Sequence, residues 1–272
     1  MTPASGTDPD LTRKERREQA RSERKAMEAA AAQAARRTRM MQLGGVIAAV
    51  VVIVVVIVLA TSGGKKEGLA TGSQKNSTVA AVSTMVGGIP QSGNVLGNPK
   101  APVTLQYFGD LECPICKQFT LGALPPLIAK YVRTGKMKIE YRSMETATRE
   151  QETFRTQQIA ALAAGKQNLG WNYIELFYHE QGQESSGYVT ESYLQGLAQQ
   201  VPGLNLPNWS AARSDPALAE QITSDAQTVT QRGFTGTPSF LIGKTGGSMQ
   251  QLSPESYTDV AAFTPTIEKL LG

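Results

Sequence analysis

Apolar and polar residues are spaced differently in different stretches of this chain, and each spacing predicts its own kind of element. Leu43 to Ala60 is an uncharged run of 18 residues dominated by Val, Ile and Ala, with its nearest charges at Arg39 and Lys65. At 1.5 Å per helical residue it reaches about 27 Å, close to a hydrocarbon core of ~30 Å, so a single transmembrane helix is predicted over 40–61. A helix in a soluble core is rarely apolar all round, and a cleaved signal rarely carries about 40 residues ahead of its apolar region. Val103-Thr-Leu-Gln-Tyr-Phe108 is strand-like, and Lys138-Ile-Glu-Tyr-Arg-Ser143 alternates as a strand does. Between them Pro114 stands where a first helical residue needs no N–H, which predicts a helix capped by Cys113, running to about Thr134 and kinked at Pro125-Pro126. A strand, helix, strand order implies a parallel pair.

Residues 148–231 carry many Ala, Leu, Gln and Glu and few strand signals, which predicts a block of several helices. After it, Gly236-Thr-Pro-Ser-Phe-Leu-Ile-Gly243 predicts a strand entered through Pro238, followed by a hairpin partner near Ser248–Leu252 and a final helix from Pro254. Ahead of the first strand, Val79–Val86 is predicted as an edge strand and Gly87–Pro102 as turn-rich. The stretch 62–78, with Thr61-Ser-Gly-Gly-Lys-Lys-Glu-Gly and Gly72-Ser-Gln-Lys-Asn-Ser-Thr78, is predicted as a flexible linker. That leaves 79–272 as one domain.

Charge divides the chain at the same place. Residues 1–39 hold ten basic and six acidic residues, and the remaining 17 of each sign cancel over 40–272. The tail, with Glu15, Glu18, Glu23 and Glu28 interleaved among its arginines and no aromatic residue, predicts a solvated segment, part helix and part disordered, and no nucleic-acid partner. Six Lys and Arg lie between residues 20 and 40, against three between 61 and 80. This bias predicts a cytoplasmic N-terminus and an extracytoplasmic domain.

The chain's two cysteines stand together as Cys113-Pro-Ile-Cys116 at the strand-to-helix junction. Unpaired N–H groups at a helix start favour the first sulfur as thiolate, the form that attacks disulfides, and the second sits one turn on, able to resolve what the first has caught. A zinc site is disfavoured because the chain offers two thiols and one histidine, His179, where zinc prefers four ligands. A structural disulfide closing so short a loop removes little entropy from the unfolded chain. Inert reduced thiols suit a cytosolic protein, and the predicted orientation argues otherwise. His179, Trp171, Phe177 and Tyr178 are predicted as packing residues, and the segment Gly243-Lys244-Thr245 is not the end of a phosphate loop, because Pro238 stands where its first glycine would be.

Together, Phe108-Gly-Asp-Leu-Glu-Cys-Pro-Ile-Cys116, Leu124-Pro-Pro-Leu-Ile128 and Gly233-Phe-Thr-Gly-Thr-Pro-Ser-Phe240 resemble the DsbA-like family of extracytoplasmic thiol:disulfide oxidoreductases. Gly88-Ile-Pro-Gln-Ser-Gly-Asn-Val-Leu-Gly97 and Gly182-Gln-Glu-Ser-Ser-Gly-Tyr188 are similar to membrane-anchored members from Gram-positive bacteria of high genomic GC content. The resemblance covers about 80–272 and implies an α/β thioredoxin fold with a helical insertion. It implies that Cys113 is the exposed nucleophile, Cys116 the shielded resolving thiol, and Thr237-Pro238 a cis peptide facing them, with Thr237, Pro114 and Ile115 meeting substrate. Many relatives place a glutamate six residues before the first cysteine to carry the proton of the second thiol. Here that residue is Tyr107, and Asp110 and Glu112 are expected to be solvated loop residues.

The function so implied is an anchored oxidase that passes disulfides to exported polypeptides and is reoxidised by an integral-membrane, quinone-linked enzyme, without bound cofactor or metal; a monomer is expected because the linker has no heptad pattern. The same pair could run as a reductant or repair protein, distinguished by a potential near −270 mV rather than near about −120 mV. A non-catalytic binding or sensor module on this fold has no requirement for a resolving thiol. With Pro114-Ile115 between the cysteines and no histidine, a less extreme oxidant is expected.

Overall fold

The computed structural model describes residues 68–272; the tail, the apolar run and the first part of the linker lie outside the described residues. Among the described residues no helix is long and apolar enough to cross a membrane.

Helix α1 spans Gly72–Val86 and is followed by two short strands, β1 (Gln91–Ser92) and β2 (Val95–Leu96). Strand β3 (Val103–Gly109) leads into helices α2 (Pro114–Leu121) and α3 (Leu124–Leu127), with a wider turn over Ile128–Val132, and returns as β4 (Met137–Ser143). Five helices follow: α4 (Gln151–Gly165), α5 (Gly170–His179), α6 (Glu191–Ala198), α7 (Leu206–Ala212) and α8 (Pro216–Arg232). Strands β5 (Ser239–Lys244) and β6 (Gln250–Leu252) and helix α9 (Thr264–Leu271) close the chain.

The sheet order is β1-β2-β4-β3-β5-β6, with β3 parallel to β4 and antiparallel to β5. Six of the seven residues of the central β3 are buried, so both of its faces are covered, as expected for a strand reached by a helical crossover. Its Tyr107 packs against Phe119 of α2 with ring centroids 4.9 Å apart, and Phe119 in turn meets Phe240 of β5 at 4.9 Å. Such aromatic pairs contribute about 0.5–1.5 kcal/mol each beyond the area they bury. They seat the cysteine-bearing helix on the sheet.

The predicted parallel pair, the helical block and the closing hairpin are all present. Four expectations change. Val79–Val86 is helical rather than an edge strand, and the helix begins at Gly72 inside the supposed linker. Val82 and Val86 are buried and Val79 is packed on the core, a three-to-four-residue spacing that fits a helix and cannot line one face of a strand. The turn-rich segment holds the β1–β2 hairpin, which pairs with β4. The helix after the cysteines does not kink at Pro125 but breaks one turn earlier, at Gly122, where a Cβ would stand 2.7 Å from the Thr258 backbone. The last helix starts at Thr264 rather than Pro254, because the Ser256 hydroxyl accepts from the N–H groups of Thr258 and Asp259, and the Asp259 carboxylate accepts from Ala261, holding the preceding residues in turns.

Candidate active site

Strand β3 ends beside the parallel β4, and the chain turns through Asp110–Glu112 to place Cys113 as the N-cap of α2. The Cys113 Sγ accepts a hydrogen bond from the Cys116 backbone N–H at 3.3 Å and, as a thiol, donates to the Thr237 carbonyl at 3.4 Å. Thr237-Pro238 is a cis peptide, and its loop leads straight into β5. Both cysteines are reduced. Pro114 and Ile115 form an exposed rim, Ile115 being one of two exposed large apolar residues among the described ones, while Thr237 is half-buried and Pro238 buried.

The two sulfurs are electrostatically unlike. The Cys113 thiol is lowered to about 6, chiefly by the hydrogen bond from the Cys116 thiol, with Thr237 and the N–H groups of Cys116 and Ile115 adding to it against the cost of burial. Cys116 is wholly buried, and desolvation pushes its thiol well above the ordinary value. The lower value stabilises the reduced pair: the gain is complete above the ordinary thiol value near 9 and is lost as pH falls through about 6. Alkylation of the reduced protein by iodoacetamide is therefore expected to modify Cys113 alone, with a rate half-maximal near pH 6. A half-maximum near pH 9, or equal labelling of both thiols, would contradict this asymmetry.

Comparison with known proteins fits the geometry. The thioredoxin family model matches residues 91–259, more than half of the chain. The chain belongs to the thioredoxin family. The disulfide bond formation protein D of Bacillus subtilis is 23% identical over 182 residues, covering 65% of this chain and 76% of that protein. A probable disulfide bond formation protein D of Bacillus cereus is 22% identical over 148 residues, covering 54% and 68%. The crystal structure of oxidised BdbD from Bacillus subtilis superposes with a TM-score of 0.55 at 22% identity, covering 67% of this chain and 97% of that one. This thioredoxin-family chain is thus a DsbA-like thiol:disulfide oxidoreductase, with α4–α8 as the helical insertion.

Three site expectations need correction. Cys113 is only 5% exposed, because the Thr237 loop lies across its sulfur. Asp110 is not solvated but fully buried: its carboxylate accepts from the N–H groups of Thr146, Ala147 and Thr148 at 2.9 Å each, from Glu112 N–H, from the Thr148 hydroxyl and from Gln157. Glu112 is 2% exposed, and desolvation raises its carboxyl, partly offset by a hydrogen bond from Thr148 and reinforced by the like charge of Asp110. Tyr107 does occupy the base of the site, fully buried. His179 is half-buried, and Trp171, Phe177 and Tyr178 are core residues, as expected. Among the described residues no three His, Cys, Asp or Glu side chains group as a metal site.

Residues the sequence did not single out complete the site. Thr146 places its hydroxyl 2.6 Å from that of Thr237, and the Gln181 amide donates to the carbonyls of Leu111 and Cys113. Asp110 therefore fixes the loop after β4, and that loop touches the residue before the cis proline. The insertion also contributes Gln181 directly to the cysteine turn.

Proposed function

We propose that this chain is a membrane-anchored thiol oxidase, its N-terminus cytoplasmic and its catalytic domain extracytoplasmic, acting as a monomer that introduces disulfides into exported polypeptides. The observation that carries the oxidising direction is the low Cys113 thiol beside a buried, high Cys116: a pair whose reduced form is stabilised makes a disulfide that is readily given away. The uncharged run over 43–60 and its basic flank support the anchor and its orientation. The relatives' description as disulfide bond formation proteins supports the direction.

In the oxidised enzyme a substrate thiolate attacks Cys113 Sγ. The Cys113–Cys116 bond breaks, a mixed disulfide forms, and the electron pair goes to Cys116. A second substrate thiol loses its proton to Cys116 and attacks the substrate sulfur, releasing Cys113 as thiolate and the product as a disulfide. Two electrons have then passed to the enzyme, and a quinone-linked membrane oxidase is the proposed acceptor. Ile115 and Pro114 on the rim, with Thr237, meet the substrate chain.

Equilibrating the purified full-length protein with glutathione and counting trapped thiols is expected to give a potential above about −180 mV, short of the most oxidising values near −120 mV. A value below about −250 mV would assign the chain to the reductants instead.

A further inference from the structure

The turn that carries Cys113 is gripped from the helical insertion, by a clasp that works in both directions. From α2, the Lys117 ammonium donates to the carbonyls of His179 and Gln181 at 3.5 and 3.3 Å. From the end of α5, the Gln181 amide donates to the carbonyls of Leu111 and Cys113 at 2.7 and 3.1 Å. The footing on the insertion side is itself braced. The Glu180 carbonyl accepts from the Tyr193 hydroxyl at 3.1 Å, and the Glu180 carboxylate accepts from the Ala70 N–H at 2.7 Å.

The two carbonyls that Gln181 holds belong to the peptide planes on either side of the cap residue. Cys113 is extended, with φ −71° and ψ 120°, and this ψ decides both where its carbonyl points and whether its sulfur lies over the start of α2. In the seated position Sγ accepts from the Cys116 N–H at 3.3 Å, while the carbonyl accepts from the Lys117 N–H at 3.1 Å as well as from Gln181. One amide therefore fixes the cap before charge develops on the sulfur. Donors already in place when charge appears need no reorganisation to meet it.

We propose that Gln181 is a positioning residue for the thiol chemistry: by holding the carbonyls on either side of the cap it keeps the Cys113 sulfur seated over the start of α2, so that the insertion sets the readiness of the nucleophile. The proposal deepens the oxidase reading and rests on Cys113 being the reacting thiol. Without the clasp the protonated turn swings away, because a thiol gains little from N–H donors, whereas a thiolate is drawn back to them. Ionisation then has to reverse that swing. The pH at which the thiolate forms rises, and the thiolate once formed is unchanged. The groups that face the sulfur are the Cys116 thiol, which is the titratable one, the N–H groups of Cys116 and Ile115, and Thr237 from the loop before β5. None of them lies on the insertion, so Gln181 acts through the turn and not by touching the sulfur.

The test is the pH dependence of iodoacetamide alkylation at Cys113 in the reduced full-length protein, for wild type, Gln181→Leu and Gln181→Ala, with the modified residue located by peptide mapping. Losing two ordinary hydrogen bonds changes the preference of the turn by about tenfold or more, which is about one pH unit. Both variants are therefore expected to move the midpoint upward from about 6 by that amount, with Cys116 still unmodified. The limiting rate at high pH is expected to stay within about twofold of wild type, because the thiolate is the same species in each. A role confined to stability would leave the midpoint in place. A midpoint that moves by less than about twofold in thiolate fraction overturns the proposal, as does a shift accompanied by labelling of Cys116, the sign of general loosening. Either variant carries the test alone if the other does not fold. Wild-type protein alkylated equally at both cysteines would instead remove the redox-pair reading, and this proposal with it.

Discussion

Asp110→Ala is expected to lower the stability of the domain by about 3–5 kcal/mol and to depress thiol exchange in whatever fraction stays folded. The carboxylate is wholly buried and holds the backbone N–H groups of Thr146, Ala147, Thr148 and Glu112, the Thr148 hydroxyl and the Gln157 amide. Alanine leaves these donors in place without an acceptor. Each buried donor left unpaired costs about 1–3 kcal/mol, and relaxation of the loop toward water recovers part of the sum. The loss reaches the chemistry because the Thr146 hydroxyl sits 2.6 Å from that of Thr237, whose carbonyl lies 3.4 Å from the Cys113 sulfur. Asp110→Asn tests the same argument by charge rather than volume: one carboxylate oxygen becomes an NH₂ that cannot accept from the loop. Urea denaturation of the reduced protein measures the first effect, and exchange with a small dithiol the second. A loss below about 1 kcal/mol for Asp110→Ala would mean that the loop does not depend on the carboxylate.

What the sequence made legible, and what it hid, divides along the range of the interactions involved. Cys113, Pro114 and Cys116 announce themselves because a cap, an N1 proline and a one-turn spacing are local events, and the structure places all three accordingly. The parallel β3–β4 pair and the helical insertion follow from element order, which the chain displays directly. Asp110 and Glu112 were misjudged as solvated because their partners lie far along the chain: Thr148 is 38 residues from Asp110. No local pattern separates a loop aspartate facing water from one facing the N–H groups of another loop. Gln181 and Thr146 were missed for the same reason. Val79–Val86 went wrong differently. Its four β-branched residues suit a strand by propensity, but Val79, Val82 and Val86 share one helical face, and burial of that face prevailed over propensity.

Helix α5 holds the second large effect. From Gly170 to Tyr178 every residue is buried, and Glu175 in their midst is 0% exposed with neither carboxyl oxygen hydrogen-bonded. Desolvation alone pushes its carboxyl well above the ordinary value, with no charged partner to offset it. The sign of the resulting pH dependence follows from proton binding. Below the unfolded value near 4.5 the group is neutral in both states and costs nothing through ionisation. As pH rises past that value the unfolded chain releases its proton while the folded chain retains it, so stability falls until the folded carboxyl itself ionises. Glu175→Gln keeps the shape and removes the ionisation. At neutral pH it is expected to be more stable than wild type by on the order of 2–4 kcal/mol, the scale on which proteins resist an unpaired buried ionisable group. The difference should vanish below about pH 4, where wild type carries a neutral acid in the same place. Thermal unfolding of both proteins at pH 4 and pH 7.5 measures it, with thiol exchange unchanged because Glu175 makes no hydrogen bond to the cysteines. A wild type more stable than Glu175→Gln at pH 7.5 would show that the carboxylate gains a favourable contact on ionising, and α5 would then have to be read as holding a second functional group rather than a burden on the core.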